Sequence, residues 1–256
     1  MKIQEQIIRT VGPVGNGAHV FMPKEWSGEK VLVFRLESKN IEERILERLA
    51  PHFADIISVF IYGSHARGEA TELSDVDVLV VAKSGFKIEK KDDLEIIVVP
   101  EEKLAKAFEI NPILMHSVSR EAKPLVNSSY LENLRAFEFT KKQVRSFVLD
   151  TKKSVESTKE ILDLNEKEEG IASSSVIYSL FLRLRGVYII KSLLIDKKYT
   201  NALFSKWIQK NCGVNYRRIY QDYVFVRDGL GKKAGVSTGD ANKLVKLLEN
   251  ELRVLK

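Results

Sequence analysis

Gly63, Ser64, Arg67, Asp75 and Asp77 lie close together in the chain and carry its sharpest chemical signal. The apolar run Ile56 to Tyr62 has the β-branched composition of a strand, and it ends in Gly63-Ser64, where a short helix should begin. A glycine there lets a phosphate approach the backbone, and a helix N-terminus favours anions. Ser64 adds a hydroxyl donor and Arg67 a guanidinium fork, so the segment reads as a polyphosphate cradle. Asp75 and Asp77 stand two apart at the start of a second strand run, Val76 to Ala82. The strand period of two puts both carboxylates on one face, with Val76 and Val78 on the other. Like charges this close are destabilising unless a cation lies between them. Hard oxygen donors suit Mg²⁺, which shares its shell with substrate phosphates. The cradle and the carboxylate pair therefore imply one another.

The passage Gly63-Ser64, Arg67-Gly68, Asp75-Val76-Asp77 resembles the signature of the DNA polymerase β-type nucleotidyltransferase superfamily, in particular its minimal, MNT-like members. The resemblance extends over about Ile41 to Val126. It implies a small mixed sheet flanked by helices, with Gly63 and Ser64 on the terminal phosphates of a nucleotide and Asp75 and Asp77 on the metals. Active members add a third carboxylate from a later strand. In Lys91 to Val99, Glu95 shares strand parity with Ile97 and Val99, and Asp93 lies on the same side at the strand's edge, so Glu95 is expected, with Asp93 as the alternate. The implied reaction is in-line attack by an acceptor hydroxyl on the α-phosphorus of a nucleoside triphosphate, with pyrophosphate leaving. Mg²⁺ is the expected cofactor and ATP the default donor. The acceptor stays open between a small molecule, a protein and an RNA end.

Each of these residues also has a plainer reading. A lone Asp-x-Asp is usually a solvated strand face, and only its spacing to Gly-Ser and Arg turns it toward nucleotide chemistry. Ser64 could serve as a helix N-cap, and Arg67 as surface charge. His65 is expected in a solvent or supporting role, Glu69 and Ser74 in structural hydrogen bonds, and Tyr62 in the core beneath the turn.

The elements that must hold this constellation give an α+β fold in three parts. Residues 1–38 read as a β-rich module of short strands punctuated by turns: Ile7-Ile8 and Val11 lead to Gly12-Pro13, then come Val14, the Gly15-Asn16-Gly17 turn and Ala18 to Met22, and Lys30 to Leu36 alternates as a strand. The segment Val11 to Trp26 resembles AbrB-like swapped-hairpin modules, which implies a homodimer, and DNA binding less so. Residues 39–130 read as the catalytic domain: an amphipathic helix from Ile41 to about Phe53, three strands at Ile56 to Tyr62, Val76 to Ala82 and Leu94 to Val99, and a short helix near Lys103 to Phe108. Residues 131–256 read as an all-α helical bundle, with helices near 131–164, 172–194, 201–210, 216–228 and 238–255 and a flexible loop from Gly229 to Gly239. This region is similar to the helical domains that accompany such transferases. All four histidines precede it, which argues against the Arg-His ribonuclease chemistry of some relatives of that kind.

Composition narrows the classes further. The chain has 256 residues, 44% of them hydrophobic and 30% charged, which is enough for a sizeable core. The single cysteine, Cys212, excludes an intrachain disulfide and a cysteine-rich zinc site. No run of eighteen apolar residues occurs, and Met1 to Thr10 lacks the layout of a signal peptide, so a cytoplasmic protein without membrane spans is expected. The net charge of +6 is unevenly placed: residues 131–256 hold 24 Lys and Arg against 15 Asp and Glu, and residues 41–130 hold 11 against 16. An acidic middle beside a basic C-terminal half suits a metal site next to an anionic substrate, although composition alone would also allow chance. The competing functional class is a DNA-binding regulator or antitoxin whose nucleotide-binding fold does not turn over.

Overall fold

The computed structural model describes residues 11–31, 40–71, 74–89, 93–168, 170–229 and 235–255. The chain divides into two compact units, Met1–Asn40 and Ile41–Lys256. In the first, strands β1 (Gly12–Val14) and β2 (Gly17–His19) pair antiparallel with Val14 opposite Gly17. Gly15 takes a φ of 53°, the left-handed conformation that a tight hairpin turn asks of its central residues. The second strand stops at His19 and the chain runs irregularly to a short 3₁₀ turn at Lys24–Trp26. The strands expected at Ile7-Ile8 and at Lys30 to Leu36 lie outside the described residues, the latter beyond Val31.

The second unit opens with helix α1 (Ile41–Leu49), which buries Ile45 and Leu49 one turn apart. Four strands follow: β3 (Ile56–Tyr62), β4 (Val76–Ala82), β5 (Leu94–Pro100) and β6 (Lys123–Val126). They form one sheet in the order β5-β4-β3-β6. The β4–β5 pair is parallel and the other two pairs are antiparallel, so the sheet is mixed. Strand β4 is central and buried on both faces, which is why it reads as a continuous apolar run after Asp77. On one face Val76, Val78 and Val80 meet Ile45 and Leu49 of α1. On the other, Phe60, Leu79, Val81 and Val99 pack under helices α3 (Leu104–Ile110), α4 (Pro112–Glu121) and α5 (Leu131–Arg135). The short helix α2 (Gly63–Arg67) joins β3 to the loop before β4.

Two features of this part differ from the sequence expectation. No helix is expected over 112–121, yet Asn111 caps α4 by accepting the Leu114 N–H, and Pro112 occupies the first helical position, where its missing N–H costs nothing. Strand β6 carries Pro124 and pairs only with β3, so it reads as an edge strand and its alternation is too short to stand out.

The helical region contains α6 (Arg145–Glu168), α7 (Ser174–Leu194), α8 (Asn201–Cys212), α9 (Tyr216–Asp228) and α10 (Thr238–Val254) around a shared core that includes Leu162, Leu184, Phe204 and Leu248. The single helix expected over 131–164 is broken between α5 and α6. Thr140 and Gln143 form a capping box there, satisfying backbone donors that a continuous helix would have used internally. The part of the expected loop that is described, 235–237, is tied down: Val236 accepts from the Ala172 N–H at 2.9 Å, and Ser237 bridges to Ile171. Among the described residues no helix is long and apolar enough to cross a membrane.

Candidate active site

The strand ends on the α3–α5 face of the sheet carry the polar residues. Antiparallel pairing sets Tyr62 opposite Asp77, and parallel pairing sets Asp77 opposite Glu95, so three adjacent strands present these side chains in one row. Asp75 lies just before β4, exposed, with the same parity as Asp77. Val76 and Val78 are buried on the opposite face. Asp77 is half-buried, and its carboxyl is pushed up to about 6, first by burial and then by the negative charges of Glu95 and Asp75, against the opposing pull of Arg67. The hydroxyl of Tyr62 is pushed up strongly, first by burial and then by Asp77, Glu95 and Glu121. Burial is the larger cause of both shifts, and the smaller one is negative charge gathered at one spot, which a divalent cation would relieve.

Gly63 lies against this row. Its φ is +72°, and a Cβ there would fall 2.1 Å from the Asp77 Oδ2. Only glycine permits that approach, so the turn and the carboxylate share one small volume. Helix α2 ends on Gly68 in the left-handed conformation, whose N–H bonds the His65 carbonyl. The N-cap position belongs to Tyr62, which makes no side-chain cap, and Ser64 is the second residue of the helix. The N-cap reading of Ser64 is therefore corrected: the residue lies within the helix. His65 Nε2 lies 3.4 Å from the Ser74 carbonyl oxygen, a supporting contact between the turn and the loop that leads to Asp75.

The two candidates for the third carboxylate have different surroundings. Glu95 stands beside Asp77 in register and is felt by it. Asp93 is bonded to both terminal nitrogens of Arg44 on α1, and that contact holds its carboxyl below the usual carboxylate range. Its backbone carbonyl accepts the Val76 N–H at 2.7 Å, which closes the start of the β4–β5 ladder.

Arg67 has neighbours that its place in the sequence does not reveal. Its side chain is only 8% exposed, and it faces two carboxylates: Nε donates to Glu69 at 2.9 Å, and Nη1 to both oxygens of Glu121 at 2.9 Å. The Tyr199 ring lies 5.2 Å from the guanidinium carbon. The fork has protein partners in this fold, because a buried guanidinium must be paired where it sits. Glu69 has the structural hydrogen-bonding part expected of it.

Glu121, at the C-terminal end of α4, was missed by sequence reasoning. Its side chain is 7% exposed, and Oε1 also accepts the Gly63 N–H at 3.2 Å. One backbone donor of the turn is thus taken by protein. The only signal in the sequence was a carboxylate at the end of an apolar helix, which is ordinary surface chemistry until the fold is known.

Mg²⁺ fits this donor set in its chemistry. Asp75, Asp77 and Glu95 are hard oxygen donors, the charge strain on Asp77 calls for a cation, and a nucleotide would complete the shell. Among the described residues no three or more His, Cys, Asp or Glu side chains are grouped so as to hold a metal ion.

The nucleotidyltransferase domain family matches residues 42–200. A putative protein adenylyltransferase of Methanocaldococcus jannaschii is 48% identical over 46 residues, 18% of this chain and 31% of its own length, so the chain spans about a third of that curated relative. Among solved structures, spectinomycin adenyltransferase AAD(9) from Enterococcus faecialis, with ATP and spectinomycin, is similar at a TM-score of 0.45 and 16% identity, over 82% of this chain and 96% of that one. A nucleotidyltransferase-like protein from Exiguobacterium sibiricum 255-15 is similar at a TM-score of 0.36 and 12% identity, over 83% of this chain and 73% of that one. The family match takes in more than half of the chain and includes the turn, both aspartates and Glu95: this protein belongs to the nucleotidyltransferase domain family.

Proposed function

We propose that the protein transfers AMP from ATP to an acceptor hydroxyl and releases pyrophosphate, in a reaction that needs Mg²⁺. The observation that carries this reading is the row Asp77–Glu95, with Asp75 beside it, set directly against the backbone of Gly63. Asp75, Asp77 and Glu95 would hold the metal, which when bound neutralises phosphate charge and lowers the barrier to deprotonating the acceptor. Gly63 leaves room for the triphosphate near its backbone, and Ser64 offers a hydroxyl to the terminal phosphates. Glu95, exposed at the edge of the row, takes the acceptor proton as the acceptor oxygen bonds to the α-phosphorus and the bond to pyrophosphate breaks. The choice of AMP is supported by the name of the Methanocaldococcus relative, and that name makes protein hydroxyls the first acceptor class to try.

The test is incubation with labelled ATP, CTP, GTP and UTP plus Mg²⁺, offering protein, RNA and small-molecule pools as separate acceptors. ATP should be consumed, with label appearing in one pool, and Asp77→Asn should lower turnover by about 100-fold or more. If wild-type protein leaves all four nucleotides intact in every pool, the transferase reading is wrong.

A further inference from the structure

We propose that the first turn of α8 positions the turn Gly63–Gly68 through Glu69, Arg67 and Glu121, so that the helical region is a working part of the active site; this rests on the reading of Gly63–Ser64 as the phosphate-receiving turn. The connection is continuous. The Asn201 backbone N–H donates to Glu69 Oε1 at 2.8 Å, Glu69 Oε2 accepts from Arg67 Nε, Arg67 Nη1 reaches Glu121, and Glu121 accepts the Gly63 N–H. Glu69 is also tied to the turn by its own backbone, its N–H bonding the Ser64 carbonyl at 2.9 Å. The network thus touches the first residue of α2 and the residue just past its left-handed end.

Charge explains why α8 is needed. One guanidinium lies between two carboxylates in a nearly water-free place, which leaves a net negative charge to be compensated. The compensation comes from backbone donors: Gly63 N–H on one carboxylate and Asn201 N–H on the other. Asn201 is the first residue of α8, whose early N–H groups have no partner inside the helix and whose dipole favours an anion. Tyr199 braces the same junction. Its ring centre lies 5.2 Å from the Arg67 guanidinium carbon and 5.4 Å from that of Arg185, and its hydroxyl donates to Asn201 Oδ1 at 2.6 Å.

One substitution removes the link while suiting the local fold. At the first helical position proline is well tolerated, and Thr200 before it is already extended at φ −142°, ψ 147°, as a residue preceding proline must be. Asn201→Pro therefore deletes the N–H that Glu69 accepts, and Asn201→Ala, which keeps that N–H, is the comparison. Against Asn201→Ala, Asn201→Pro should speed amide exchange across Ser64–Gly68 by about tenfold or more and leave Phe204–Ile208 protected. It should also lower kcat/KM for ATP by about tenfold. In a Glu69→Ala background, Asn201→Pro should add less than about twofold, because both changes cut the same link.

Unchanged exchange at Ser64–Gly68, faster exchange with kcat/KM unaltered in an active enzyme, or losses that multiply in the double variant would each overturn the proposal. If Asn201→Pro does not fold, Glu69→Ala reads the link from its other end: exchange should rise both at Ser64–Gly68 and at Asn201–Leu203, and no rise at either would refute it. Wild-type protein silent toward every nucleotide would sink the transferase reading, while the exchange comparison would still decide the coupling.

Discussion

Gly63 shows how narrow the chemistry is at the scale of one residue. A methyl group there would meet the Asp77 carboxylate at 2.1 Å in a backbone conformation that already disfavours side chains. Gly63→Ala should cost about 1–2 kcal/mol of stability and displace Asp77, lowering turnover by about 100-fold, as a thermal melt and a pyrophosphate assay would show together. Asp77 makes a second prediction, in pH. Its carboxyl is raised to about 6 from an ordinary value of 3.8, so in metal-free protein the protonated form is favoured in the fold. The stabilisation this gives is complete below about pH 4 and is lost as pH rises through about 6. Asp77→Asn should therefore stabilise the metal-free protein at pH 8 by about 1 kcal/mol, since the carboxylate is only half-buried, and change nothing at pH 3.5. Denaturant titrations at the two pH values measure this, and equal effects at both would contradict it. The aspartates and the glycine were legible because their meaning lies in short spacing. The partners of Arg67 were not legible, because Glu121 lies 54 positions away in the sequence.

At the scale of the element, the parallel register of β5 on β4 distinguishes two carboxylates that sequence parity left together. Glu95 falls beside Asp77, and Asp93, at the strand's beginning, falls to Arg44 of α1. Glu95→Gln should lower Mg²⁺-dependent turnover by about 100-fold with little change in stability. Asp93→Asn should keep turnover within about fivefold and cost less than about 1 kcal/mol, because its ion pair with Arg44 is partly exposed. The reverse ranking in a steady-state assay would transfer the role to Asp93. Helices α1, α7 and α8 follow the periods visible in the sequence because each buries a stripe, and strands β3 to β5 follow its apolar runs because they lie within the sheet's core. Helix α4 was not visible as the carrier of a site residue. Its apolar stripe explains burial under the sheet, but only its docking brings Glu121 to the end of β3.

At the scale of the whole molecule, Ile41–Lys256 forms one compact unit although its composition and element types change near residue 131. Contacts such as Glu69 with Asn201 join residues 132 positions apart. We expect residues 41–256 to unfold in a single calorimetric transition. Leu248→Ala, at a fully buried site in the helical core, should cost about 3 kcal/mol and lower the melting temperature of the nucleotide site by the same shift. A mutant in which the helices melt first and nucleotide binding persists would show two independent domains instead.

What the sequence determined by itself was everything written at short range: the strand and helix periods, the hairpin turn at Gly15-Asn16, and the Gly-Ser and Asp-x-Asp spacing. Steric limits on the backbone and the burial of neighbouring apolar side chains settle these within a few residues. Tertiary structure alone decided which carboxylates and cations meet. Glu121, Glu69 and Asn201 became neighbours of the Gly63 turn only when the sheet, α4 and α8 had packed. The cost of leaving a guanidinium and two carboxylates unpaired away from water then dictated how they bond.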